Sequence, residues 1–169
     1  MKILCLALIL TVIIPCCSSK KDIDLFKEAQ ALEDQRNFKT AIGKYSEIVD
    51  KFGESVFADS SQYKIALLYN NELKDFSSAV SAYLKYFTVF PGSKNAPVAL
   101  FMAGFIMNNE MHKLDSARIY FDMFLQKYPQ HELAASARFE LETLGKDPTE
   151  FLKSEITLQT EGRKNKTGQ

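Results

Sequence analysis

The sequence predicts an all-α fold built from stacked helical repeats, and three observations predict it. The first is Phe76–Pro91, FSSAVSAYLKYFTVFP. There Ala79, Tyr83, Tyr86 and Phe90 recur at steps of four, three and four, so they share one face of an amphipathic helix closed by proline. The second is repetition. A near copy lies at Leu114–Pro129 and a weaker one at Phe38–Gly53, and Ala41, Ala79 and Ala117 are 38 residues apart. Tyr45, Tyr83 and Phe121 keep the same spacing, as do Ile48, Tyr86 and Phe124, and Phe52, Phe90 and Tyr128. Self-similarity at a fixed period marks stacked helix pairs, because one pair cannot bury its own apolar face. The third is composition: seven glycines and five prolines are few, and no strand–turn rhythm runs through the chain.

A chain of 169 residues holds one ordinary domain or a short array. With 46% hydrophobic and 25% charged residues it can bury a core. Lys plus Arg equals Asp plus Glu at 21 each, so no global field draws nucleic acid or an anionic membrane, and nucleic acid is not expected as a partner. All three cysteines, Cys5, Cys16 and Cys17, fall in the first 17 residues. The rest of the chain therefore has no disulfide framework, thiol nucleophile or thiolate metal site.

Met1–Pro15 (MKILCLALILTVIIP) has one early lysine and an apolar run too short to span a bilayer, which needs about 20 residues. It suits the hydrophobic region of a secretory signal, expected over 1–16. A polar tether is expected over 17–22. Ile23–Gln35 is predicted to be the first helix, with Leu25, Phe26, Ala29 and Leu32 on its apolar face. Arg36–Asn37 is a tight connection, Phe38–Phe52 the second helix, and Gly53 its expected left-handed end. Gly53–Ser60 joins the repeats. A new helix is expected over Ser61–Asn70, with Asn70–Asn71 as its C-terminal cap and Asp75 as the N-cap of the next helix. Ala96–Met107 and a helix ending at Tyr128, capped by Asp115, repeat the pattern. His131–Leu144 begins a fourth pair that Gly145 cuts short, and Thr149–Ile156, with Phe151 and Leu152, is expected to be a short capping helix. The helical domain is thus expected over 23–156, and the polar tail 157–169 is expected to be disordered.

Two resemblances follow from these residues. An apolar run ending directly on Cys16–Cys17 resembles the lipobox of bacterial lipoproteins, in which a peptidase cleaves before a cysteine that is then acylated. Cys17 is the preferred residue, because cleavage before Cys16 would place Pro15 beside the scissile bond. Ser18 follows it. By resemblance to enterobacterial lipoproteins, the lack of Asp there points to the outer membrane. The repeats resemble the tetratricopeptide repeat (TPR): a small residue, an aromatic four later and a proline twelve later. Ala79–Tyr83–Pro91 and Ala117–Phe121–Pro129 fit it, and Ala41–Tyr45 fits in part, with Gly53 for the proline. The resemblance implies a right-handed TPR solenoid of antiparallel helix pairs, three repeats plus a partial fourth. It spans roughly 23–144, with small-residue sites at Ala29, Ala66 and Gly104. The period exceeds the family's 34 residues by four, one expected between paired helices and three between repeats. Segments such as FLQKYPQHELAASARFEL are similar to repeats of BamD-type lipoproteins of β-barrel assembly and of YbgF-type proteins of the Tol–Pal system.

No catalytic residue, cofactor site or metal site is expected. His112 and His131 have no ligand at helical spacing, carboxylates such as Glu140 and Glu142 fit a solvated helix face, and no phosphate loop or nucleophile elbow occurs. Nothing points to a small-molecule substrate. The family's lining positions carry over to a partner groove formed by Phe26, Tyr63, Leu67, Asn70, Phe101, Phe105 and Asn108. The resemblance implies a lipid-anchored, non-catalytic scaffold that faces the periplasm and binds envelope proteins in an outer-membrane assembly or maintenance complex. The alternatives are a Tol–Pal or division-associated factor and a subunit that stacks on itself.

Overall fold

The computed structural model of the chain describes residues 20–146. They form α1 (Lys20–Asp34), α2 (Phe38–Lys51), α3 (Ala58–Leu67), α4 (Phe76–Val89), α5 (Ala96–Asn109), α6 (Leu114–Lys127) and α7 (Ala134–Thr143). Among the described residues there is no strand. Each helix packs chiefly on the one before and the one after it, so α1/α2, α3/α4 and α5/α6 are stacked hairpins and α7 opens a partial fourth. The expected capping helix at 149–156, the tail 157–169 and the signal segment 1–16 lie outside the described residues.

The repeated columns form the core. Ala41, Ala79 and Ala117 are fully buried, as are Tyr45, Tyr83 and Phe121, and Ile48, Tyr86 and Phe124. The small residues let facing helices close in, and the rings fill the space beside them. In the third hairpin a β-carbon on Gly104 would stand 3.0 Å from the Phe121 ring. The buried residues fall into two clusters, α1 to α5 and α5 to α7. Leu84, Phe87, Met102, Met107 and Tyr120 pack against both, so the core is continuous along the stack.

The connections repeat as faithfully as the helices. Between hairpins, the N–H groups of Ser55, Ser93 and His131 donate to the carbonyls of Phe52, Phe90 and Tyr128. The side chains of Ser55, Ser93 and His131 in turn accept from the N–H two residues on, at 3.1, 3.4 and 3.1 Å. His131 Nδ1 therefore does the work of a serine hydroxyl. Within hairpins the reversal residues are Arg36, Lys74 and His112, all left-handed at φ 58°, 52° and 51°. Each follows the C-terminal end of a first helix, where the positive charge of Arg36 and of Lys74 complements the helix dipole.

Several local expectations are corrected. Gly53 is not left-handed; α2 closes through the Phe52 N–H on the Ile48 carbonyl, and the left-handed glycine is Gly145, at φ 76°. Asp75 caps α4, accepting from the Ser78 N–H at 3.1 Å, but Asp115 lies in the first turn of α6 and Lys113 holds the cap position. The first helix begins at Lys20 and the third at Ala58, each three residues earlier than expected. Asn70 and Asn71 do not cap α3; they lie in a π-turn over Leu68–Glu72.

That π-turn accounts for one added residue. In the first hairpin the closing bonds run from Gln35 to Ala31 and from Asn37 to Leu32. In the second they run from Leu73 to Leu68 and from Asp75 to Tyr69, each ring one residue larger. The third repeats this, from Met111 to Ile106 and from Lys113 to Met107. The insertion expected in a loop is thus taken into the helix end as a wide turn, and only in the second and third hairpins.

Candidate interaction face

The first helices α1, α3, α5 and α7 make one layer of the stack, and the expected groove positions all lie on it. Phe26 is half-buried, stacked on Phe57 with ring centres 4.8 Å apart and edge-on to Tyr45 at 5.5 Å. Tyr63 is half-buried beside Tyr86 at 5.1 Å, and burial pushes its phenol above the ordinary value. Phe101 is only 8% exposed. It fills the core against Phe121 at 5.6 Å and Phe124 at 5.9 Å, and stacks on Phe105 at 6.2 Å. Leu67 and Phe105, one helical turn further on, are half-buried like Phe26 and Tyr63. Phe101 therefore supports the face from below, while Leu67 and Phe105 present its apolar surface.

A polar row runs beside this apolar one. Glu33, Asn70 and Asn108 occupy equivalent positions on successive first helices, and Lys64, Met102 and Glu140 stand opposite them on the next. Across the first junction the Lys64 Nζ donates to Glu33 at 3.0 Å, and Glu33 also accepts from the Tyr45 hydroxyl at 2.5 Å. Across the last junction the Asn108 amide donates to Glu140 at 2.9 Å. Met102 offers no such group at the middle junction, and the Asn70 amide donates instead to its neighbour Asn71 at 2.7 Å. Glu140 is thus not a solvated carboxylate, although Glu142 is exposed as expected. Aligning the Lys64, Met102 and Glu140 column was the signal that could have revealed these clasps.

Between the two layers, a cleft of about 300 Å³ lies where α2, α3 and α4 meet, lined by Ser46, Gln62, Ser81 and Lys85 among others. Gln62 is buried there and only half satisfied: its amide Nε2 donates to the Ala82 carbonyl at 3.0 Å, while its Oε1 and the neighbouring Ser61 hydroxyl have no hydrogen-bond partner. None of the expected groove residues lines it. His112 sits in an exposed turn and His131 caps a loop, so the two are not brought together. Among the described residues, no group of three or more His, Cys, Asp or Glu is placed to hold a metal, and no helix is long and apolar enough to cross a membrane.

Stacked antiparallel hairpins with a small-residue and aromatic register define a TPR-type helical repeat protein. A family model described as outer membrane lipoprotein, YfiO, matches residues 18–147, which cover all seven helices. The chain belongs to this family of outer membrane lipoproteins, the BamD-like group. A search of curated proteins returned no match.

Proposed function

We propose that this chain is a non-catalytic scaffold, acylated at Cys17 and facing the periplasm from the outer membrane. On this reading it holds a partner protein of an outer-membrane assembly or maintenance complex along its first-helix layer. The observation that supports it most is the family match over 18–147, which opens one residue after Cys17 and runs through every repeat. The half-exposed row of Leu67 and Phe105 beside the polar row at Asn70 and Asn108 suits an amphipathic partner segment, apolar on one side and hydrogen-bonding on the other. Asn70 is the group best able to bond a partner's backbone, because no side chain of the next repeat claims it.

Phe105 is the residue to test, since Phe101 belongs to the core and its removal would cost about 3–5 kcal/mol of stability. A photo-crosslinking residue at position 105 should capture an envelope protein in intact cells. Phe105→Ala should weaken capture of that protein while leaving the helical circular dichroism and melting transition in place. If a crosslinker at Ile119, exposed on the opposite layer, captures the partner and one at 105 does not, this face is the wrong one.

A further inference from the structure

We propose that the cleft where α2, α3 and α4 meet is a binding site for a neutral sugar no larger than a disaccharide. This site is separate from the first-helix face and stands whether or not that face binds a protein. The repeat itself shows that the cleft is a departure. Moving its lining residues forward by 38 gives their counterparts at the junction of α4, α5 and α6. Ser46 becomes Leu84, Gln62 becomes Leu100, Ala82 becomes Tyr120 and Lys85 becomes Met123. There Leu100 is fully buried, and Leu84, Tyr120 and Met123 pack against the core. One junction is thus filled by apolar side chains, and the other is opened by small and polar ones.

The exchange works against packing. Gln62 is only 1% exposed, yet its Oε1 has no partner, and neither has the hydroxyl of Ser61, whose counterparts Ala99 and Ala137 are buried alanines. Buried polar atoms are ordinarily paired, because an unpaired one has lost its water and gained nothing. An unpaired amide oxygen on a side chain that lines an open cleft is completed by a ligand donor. The terminal amide turns on a soft torsion, so its oxygen can come to the cleft surface when that donor arrives.

The walls define the class of ligand. The Ser81 hydroxyl donates to the Ser77 carbonyl at 3.0 Å and the Ser78 hydroxyl to Asp75 at 2.7 Å, so both oxygens are left with lone pairs to offer. Ser46, Ser77 and Tyr69 add three more hydroxyls. The one cation of the lining, Lys85, is paired with Asp50 at 3.3 Å. An anion would meet Asp50 and Asp75 nearby, and a cation would meet Lys85, so a donor-rich but uncharged ligand fits best. Ile65, Ala82 and the Tyr69 ring supply apolar surface for the C–H faces of a sugar. The cleft follows α4 from Ser77 to Lys85, about 12 Å, and the Lys85–Asp50 pair bridges α4 to α2 at one end. That bridge denies an extended peptide a way through, and a volume of about 300 Å³ is at the small end for ligand sites.

The test uses the full-length chain in micelles of a non-glycosidic detergent, titrated with maltose, cellobiose and N,N′-diacetylchitobiose and followed by two-dimensional NMR. At least one sugar should shift the Gln62 side-chain amide and the backbone amides of Ser46 and Ser81, leaving those of Phe105 and Asn108 in place. Gln62→Leu should weaken that binding about tenfold, the worth of one buried hydrogen bond, and should melt no lower than the wild type. Ser46→Leu with Ala82→Tyr, which copies the next junction, should keep the helical circular dichroism and abolish binding. If none of the three sugars moves these amides, or the filled variant binds as well as the wild type, the proposal is overturned. If inorganic phosphate or putrescine shifts them and the sugars do not, the cleft takes a charged ligand and the sugar assignment is wrong. If Gln62→Leu melts lower and still binds sugar, the glutamine is a packing residue and the assignment falls.

Discussion

At Gly43, in the middle of α2, no atom lies within 4 Å of where a β-carbon would stand, whereas at Gly104 that carbon would meet three atoms of the Phe121 ring at 3.0 to 3.3 Å. Two helical glycines, which composition cannot tell apart, are therefore opposite in kind. Gly43→Ala should stabilise the protein by about 0.5–1 kcal/mol, because alanine loses less backbone entropy on joining a helix. At Gly104 the same gain is outweighed, since Phe121 is fully buried and has no room to retreat. Overpacking there costs about 1–3 kcal/mol, so Gly104→Ala should destabilise by roughly 1 kcal/mol net, read from denaturant midpoints. The site was partly legible at this scale. Family spacing named Leu67, Phe101 and Phe105 alike, and it could not show that Phe101 is buried in the core or that Glu140 accepts from Asn108. Which of two neighbouring apolar residues remains exposed depends on the helix that packs beside them.

At the scale of the element, helices were the legible part. Their apolar period survives in the sequence because each buries one face against its neighbours. The ends were less so: Gly53 looked like a left-handed cap, and the chain instead reverses on Arg36, Lys74 and His112. A residue of ordinary side-chain bulk gives no turn signal in a single sequence, and only the 38-residue recurrence of this trio marks it. The π-turn over Leu68–Glu72 makes a sharper prediction. Deleting Asn71 removes the added residue and restores the bond pattern of the first hairpin, so the protein should keep a cooperative thermal transition. Deleting Lys64 instead rotates the rest of α3 by about 100°, taking Ile65 and Ala66 out of the core, and should abolish that transition.

Across the whole molecule, the buried tyrosines make stability sensitive to alkali. Burial, and next a hydrogen bond to Asp59, push the Tyr86 phenol from its ordinary 10.0 up to about 12. Burial raises Tyr83, and burial together with the Glu33 hydrogen bond raises Tyr45. A phenol whose folded-state pKa is raised favours the fold in its neutral form. Its contribution is complete below about pH 10, where the unfolded chain is also protonated, and is lost as pH climbs toward and beyond 12. Because one core runs through the stack, helical circular dichroism and tyrosinate absorbance should change together above pH 10. Tyr86→Phe should move that transition to higher pH. If tyrosinate appears well before helix is lost, the phenols are not held by the core as described.

The sequence by itself determined the helices, their pairing and the period, because burying a one-sided helix needs apolar residues at fixed steps and stacking needs the same steps again. It also carried the family, since small and aromatic residues at those steps are a packing code that can be read in one dimension. Only the tertiary structure decided which aromatics fill the core and which face outward, where the wide turn absorbs an added residue, and which carboxylates are clasped by the next repeat. Those outcomes depend on distances between helices far apart in the chain, and no local spacing records them.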